Sequence, residues 1–159
     1  FQKNTSEKKT VVKEVLQETT NTPVLKENEQ KLENVYKKTN SFDHKAFLEG
    51  AKKAFEIIIT SFNKGDKKTL KSLVSKDVYI AFESAIDAGN NNPGSQFYSL
   101  VIDAVEDANV DKGLITISVN FISEQMLDNN EEQITKNKDT WVFEKSTNSS
   151  DTAWLLVST

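Results

Sequence analysis

The hydrophobic period of this chain changes once, at a single break. Up to Ile86, apolar residues recur at the 3.6-residue spacing of a helix; beyond residues 88–95 they alternate with the period of two that a half-buried strand requires. The break reads AGNNNPGS, and its Gly, Asn and Pro93 make it a loop. Helices gathered before strands point to an α+β domain with an antiparallel meander, since a parallel sheet would need the two to alternate.

On the helical side, Ser41 or Asp43 can offer an oxygen to the first free amides of a helix. Phe47, Ala51, Ala54, Phe55, Ile58 and Phe62 follow at helical spacing, widened by Leu48 and Ile59, while Lys45, Glu49, Lys52, Lys53 and Glu56 take the other face. Gly50 inside this helix weakens it, which predicts a close approach by a neighbour. Gly65 closes the helix in a left-handed cap, and Asp66 caps a short helix bearing Leu70, Leu73 and Val74. Ser75 starts a third, with Val78, Phe82, Ala85 and Ile86 on one face and Tyr79 alongside. Ahead of these, residues 1–41 are rich in Lys, Glu, Asn and Thr. They hold two short apolar patterns, Val11, Val12, Val15, Leu16 and Leu25, Leu32, Val35, Tyr36, on either side of Pro23. That texture reads as a polar linker or weak amphipathic helices. The expected organisation is a segment 1–41 followed by one α+β domain, 42–159.

On the strand side, Tyr98, Leu100, Ile102 and Ala104 alternate, and residues 110–113 (VDKG) read as a hairpin turn. Ile115, Ile117, Val119 and Phe121 alternate with Thr116, Ser118 and Asn120. Residues 127–139 read as a polar excursion, and TWVFEK (140–145) and AWLLVS (153–158) as the last two strands. The fold expected is N-terminal helices packed on a four-stranded, curved antiparallel sheet. A curled sheet around a long helix makes a cone with an apolar mouth.

Composition removes several function classes. There is no Cys, hence no disulfide framework, thiolate metal site or cysteine nucleophile. All 20 basic residues are Lys, so no bidentate Arg clamp for phosphate or guanine exists. Residues 1–41 and 42–86 each carry a net charge of +2, and residues 87–159 carry −8. A nucleic-acid binder would not be acidic over half its length, so no nucleic acid is expected as a partner. No run of 18 apolar residues is present to span a bilayer. The opening Phe1, in place of Met, reads as the start of a fragment whose anchor would lie upstream. No phosphate loop, nucleophile elbow or metal motif appears, so no catalytic residue, metal or cofactor is expected.

The remaining candidates are these. His44, beside Asp43, reads as a solvent-exposed first-turn residue rather than half of a catalytic dyad. The run 128–133 (DNNEEQ) opens like a calcium loop but has Gln133 where the turn glycine belongs, and reads as a solvated loop. Asp103, Glu106, Asp107 and Asp111 read as a hydrated edge. Lys64, Lys67, Lys68 and Lys71 crowd one helix–helix corner and form a candidate surface for anionic lipid, worth about 1 kcal/mol per Lys. Phe55, Phe62, Tyr79, Phe82, Phe121, Trp141, Phe143 and Trp154 supply either a closed core or an apolar pocket for an acyl chain or a partner's side chain.

Residues 42–55 (FDHKAFLEGAKKAF) resemble the start of the Tim44-like domain, named for the matrix-side subunit of the mitochondrial inner-membrane import translocase and found also in alphaproteobacterial relatives. Residues 62–66 (FNKGD), Leu70, Leu73, Val74 and Ser75, and residues 78–82 (VYIAF) continue the likeness. So do 119–124 (VNFISE), 141–144 (WVFE) and 151–156 (DTAWLL), so that it covers 42–159. The resemblance implies a cystatin-like cone similar to nuclear transport factor two. It implies a non-enzymatic, peripheral adaptor on a cardiolipin-rich inner membrane, engaged in protein translocation or membrane-protein assembly, with anionic phospholipid and a translocase or chaperone protein as partners. The Lys- and Asn-rich composition favours a bacterial inner membrane; the mitochondrial matrix side would apply to a eukaryotic source. Residues 1–41 show no match to the mitochondrial subunit's chaperone-recruiting region. The cone scaffold also supports small apolar-ligand carriers and isomerase- or dehydratase-type enzymes, which stand as the alternative readings.

Overall fold

The computed structural model describes residues 22–148 and 153–159. A 3-10 turn, Glu27–Leu32, runs into a one-turn helix α1, Glu33–Tyr36. Helices α2 (His44–Lys64), α3 (Lys67–Leu73) and α4 (Lys76–Asp87) follow. Strands β1 (Ser95–Asp111), β2 (Leu114–Leu127), β3 (Asn130–Ser146) and β4 (Leu155–Ser158) form one antiparallel sheet in the order β1-β2-β3-β4. The α+β meander is as the sequence predicts.

The helix boundaries follow their capping chemistry. The Asp43 carboxylate accepts from the amides of Lys45 (3.0 Å) and Ala46 (3.3 Å), satisfying donors that have no partner inside α2. Gly65, at φ 74°, ends α2 in the left-handed region. Asp66 then caps α3, accepting from the Thr69 amide and hydroxyl, which holds its carboxyl below the ordinary range. Ser75 caps α4 through the Val78 amide. From α2, Phe47, Ala51, Phe55 and Ile58 are buried against the sheet.

Both long hairpins turn on two-residue loops with both central residues at positive φ: Lys112–Gly113 and Asp128–Asn129. That geometry matches the right-handed twist of the flanking strands. The second turn overturns the expected excursion over 127–139: β2 runs to Leu127 and β3 begins at Asn130. The segment looked like a loop because its strand is almost wholly polar and alternates no apolar residues. Strand β1 is also longer than its alternation indicates. Register shifts at 97/99, 102/104 and 105/107 break the period of two, so the buried residues are Val105, Ala108 and Val110. Such bulges bend a strand, curving β1 with the sheet around α2.

Leu32 and Val35 are fully buried, so the core draws on residues ahead of Phe42. The segment that carries them also covers an edge. The side chains of Asn28, Asn34 and Lys38 donate to the carbonyls of Asp103 (2.9 Å), Ala108 (3.0 Å) and Val110 (3.4 Å), blocking strand addition at β1. The other apolar pattern, Val11 to Leu16, lies outside the described residues. At the opposite side of the sheet, the Ser75 amide donates to Leu156 (2.8 Å) and ties the α3–α4 junction to β4.

Two expectations are corrected. Gly50 meets no close neighbour: a Cβ there would touch nothing within 4 Å, because that side of α2 faces an open groove. His44 is not exposed but 5% accessible. Tyr36 folds back over the start of α2, a contact that His44's polar sequence neighbours do not reveal.

Candidate functional site

A groove of about 510 Å³ lies between the first half of α2 and the end of the sheet nearest Lys112–Gly113. Small residues of α2 (Ala46, Gly50, Ala54) leave it open, and Phe42, Phe47, Phe143 and Trp154 wall it. Trp154 meets the Phe47 ring edge-on at 4.7 Å, and the Lys145 ammonium sits 5.9 Å over the indole. Leu73, at the end of α3, closes one side.

The eight aromatics read as either a closed core or an apolar pocket divide between core, groove and the helix layer. Phe55 packs on Phe121 (4.4 Å) and Trp141 (4.3 Å), and these three lie in the closed core. Phe143 is buried as well, yet with Trp154 it lines the groove. Phe62 pairs with Phe82 at 5.3 Å, half-buried between α2 and α4. Tyr79 is half-buried on α4 under the Lys71 ammonium (5.8 Å); desolvation and then the neighbouring Glu83 raise its hydroxyl pKa. The groove residues missed at first are Phe42, Phe47, Ala46 and Gly50. Phe47 belongs to the helical stripe, and only the placement of β4 turns its ring to a groove.

Of the four lysines, Lys64 lies at the end of α2 and Lys67, Lys68 and Lys71 lie on α3. Lys64, Lys68 and Lys71 are exposed, whereas Lys67 donates to the Asp87 carboxylate at 2.7 Å, which raises its pKa. Lys71 is two residues before Leu73 on α3, which places it on a different face of that helix from the groove-lining Leu73.

A second pocket of about 370 Å³ lies at the opposite end of the sheet, where Asn63 of α2, Asn92, Ser95, Gln125 of β2 and Gln133 and Asn137 of β3 meet the apolar Met126, Leu127 and Ile134. Nearby on β3, burial raises the pKa of the half-buried Asp139 carboxyl.

The other candidates resolve into structural roles. The Tyr36 hydroxyl accepts the His44 backbone N–H (2.8 Å) and lies 2.8 Å from Nδ1, while Nε2 is 3.8 Å from Glu29. Burial raises the Tyr36 pKa. The cluster fastens the N-terminal segment to α2. Asp103, Glu106, Asp107 and Asp111 are exposed on the edge strand β1. Residues 128–133 form a hairpin turn and the start of β3, and no group of three or more potential metal ligands occurs among the described residues.

No curated protein matches the sequence. Among solved structures, the chain is similar to the crystal structure of the intermembrane space region of the chloroplast protein ARC6, at 12% identity and a TM-score of 0.41, covering 74% of this chain and 94% of that one. The family described as the Tim44-like domain matches residues 28–159. That span runs from within the first packed turn to the last strand, and the chain belongs to the Tim44-like domain family.

Proposed function

We propose that this domain is a non-enzymatic, peripheral adaptor of a bacterial inner membrane, serving protein translocation or membrane-protein assembly by binding anionic lipid and a protein partner. The family match over residues 28–159 carries this reading, since the family is membrane-associated and linked to protein transport. No helix among the described residues is long and apolar enough to cross a membrane. The groove gives the reading a physical form: its aromatic walls suit an acyl chain or a partner's apolar side chain. Exposed Lys64, Lys68 and Lys71 would meet phosphate headgroups.

The test is co-sedimentation with phosphatidylcholine vesicles, with and without cardiolipin, at low and high salt. Binding should require cardiolipin and fall with salt, because exposed charge interactions are screened within about 8 Å at physiological ionic strength. Changing Lys64, Lys67, Lys68 and Lys71 to Glu should abolish it, and Trp154→Ala should weaken it without altering the salt dependence. Absence of binding in every condition would remove anionic lipid from the reading.

A further inference from the structure

The second pocket combines five carboxamides with the apolar side chains of Met126, Leu127 and Ile134, and no charged side chain lines it. Asn63, Asn92, Gln125, Gln133 and Asn137 converge on it, with the hydroxyls of Ser95 and Thr135. Its volume of about 370 Å³ falls within the range of small-ligand sites, roughly 300–1,000 Å³.

Two of these amides are held in place. Ser95 Oγ donates to Gln125 Oε1 at 3.1 Å, and Gln125 Nε2 donates to Ser123 Oγ at 3.2 Å, on a serine with no exposed surface. Asn63 is only 9% exposed; its Oδ1 accepts the Asn92 amide at 3.1 Å, and its Nδ2 has no partner among the described residues. A nearly buried donor left unpaired is costly unless something in the pocket accepts from it. The wall is also pinned. The Asp128 amide donates to the Gly94 carbonyl at 2.8 Å, and the Asn129 amide to Gln96 Oε1 at 2.9 Å. A Cβ at Gly94 would meet the Asp128 carboxylate, so a larger residue there would displace that side chain from the wall.

We infer that this pocket binds a neutral polyhydroxylated ligand, a hexose ring being the fitting unit. A carboxamide presents donors and acceptors side by side, which suits hydroxyls that both donate and accept. An ion would enter without a counter-charge, a costly burial. An extended peptide would need a linear array along one strand edge, whereas these groups come from α2, the 91–94 loop, β2 and β3 around an open pocket. This site is independent of the groove and of the membrane reading.

The experiment is NMR titration of the isotope-labelled domain with methyl glucoside and methyl galactoside, following the side-chain amide signals. At least one glycoside should give saturable shifts at Asn63, Gln125, Gln133 and Asn137. The double variant Gln133→Ala, Asn137→Ala should weaken binding at least tenfold with the remaining spectrum unchanged, since those two side chains make no hydrogen bond among the described residues. Vesicles of phosphatidylcholine with and without a monoglucosyl diacylglycerol then separate a glycolipid headgroup from a free sugar. No saturable shift with either glycoside overturns the inference. So does binding unchanged in the double variant, or a response at these amides to tetra-alanine alone.

Discussion

The two ends of the sheet share strands β1, β2 and β3 and face the same helix, yet differ in chemistry. At one end β2 turns Ile115, Ile117, Val119 and Phe121 inward, β3 adds Trp141 and Phe143, and α2 covers them with Phe47, Ala51, Phe55 and Ile58. At the other end the same alternation continues with Ser123 and Gln125 on β2 and Gln133, Thr135, Asn137 and Asp139 on β3. The helix changes in step: its buried residues beyond Ile58 are Ser61 and Asn63. A strand's geometry is therefore indifferent to what it buries. The apolar end supplies the stability and a greasy groove at its margin, and the polar end leaves hydrogen-bonding groups converging on open space.

That contrast can be broken most directly by truncation at each end. Phe55→Ala removes a ring with no exposed surface, stacked on Phe121 and near Trp141, and should cost about 3–5 kcal/mol in urea unfolding. Asn137→Ala, at the wet end, should stay within about 0.5 kcal/mol. Equal losses would mean that the polar end is as much a core as the apolar one. Next in size, Gly50→Ala should stabilise the domain by about 1 kcal/mol, because helix propensity rises and the added methyl meets no atom within 4 Å. A loss there would mean that the groove is closed in solution. The smallest effect belongs to Asp139→Asn. Burial raises this carboxyl's folded pKa, so its contribution is favourable below the ordinary carboxylate range and is lost as pH rises through the folded value. The variant should therefore be slightly more stable than the parent at neutral pH and no more stable near pH 3. A stability gain independent of pH would assign the effect to something other than ionisation.

How far the sequence could be read depended on whether a signal was local. Asp43, Gly65, Asp66 and Ser75 act on residues within a turn of themselves, so the helix ends were visible in the chain. The strand Ile115 to Phe121 was visible because one face is buried and the other wet. Over residues 130–139 no such contrast exists, and strand formation there rests on pairing with β2. Three bulges hid the far half of β1 by breaking its period. The aromatic set was legible as apolar mass but not as a site: three of its rings closed into core, and two came to rest at a groove that also needed Phe42, Phe47 and the gap at Gly50.

By itself the sequence determined the class of fold, the helix ends, the order of the strands, and the absence of cysteine, arginine and a bilayer-length apolar run. Each of these depends on residue type or on short-range periodicity. The tertiary structure alone decided that His44 is buried beneath Tyr36, that Gly50 opens a groove, and that scattered Asn and Gln residues face one another across a pocket. Those outcomes depend on contacts between residues far apart in the chain, such as Asn63 and Asn137, whose spacing in sequence carries no trace of their approach in space.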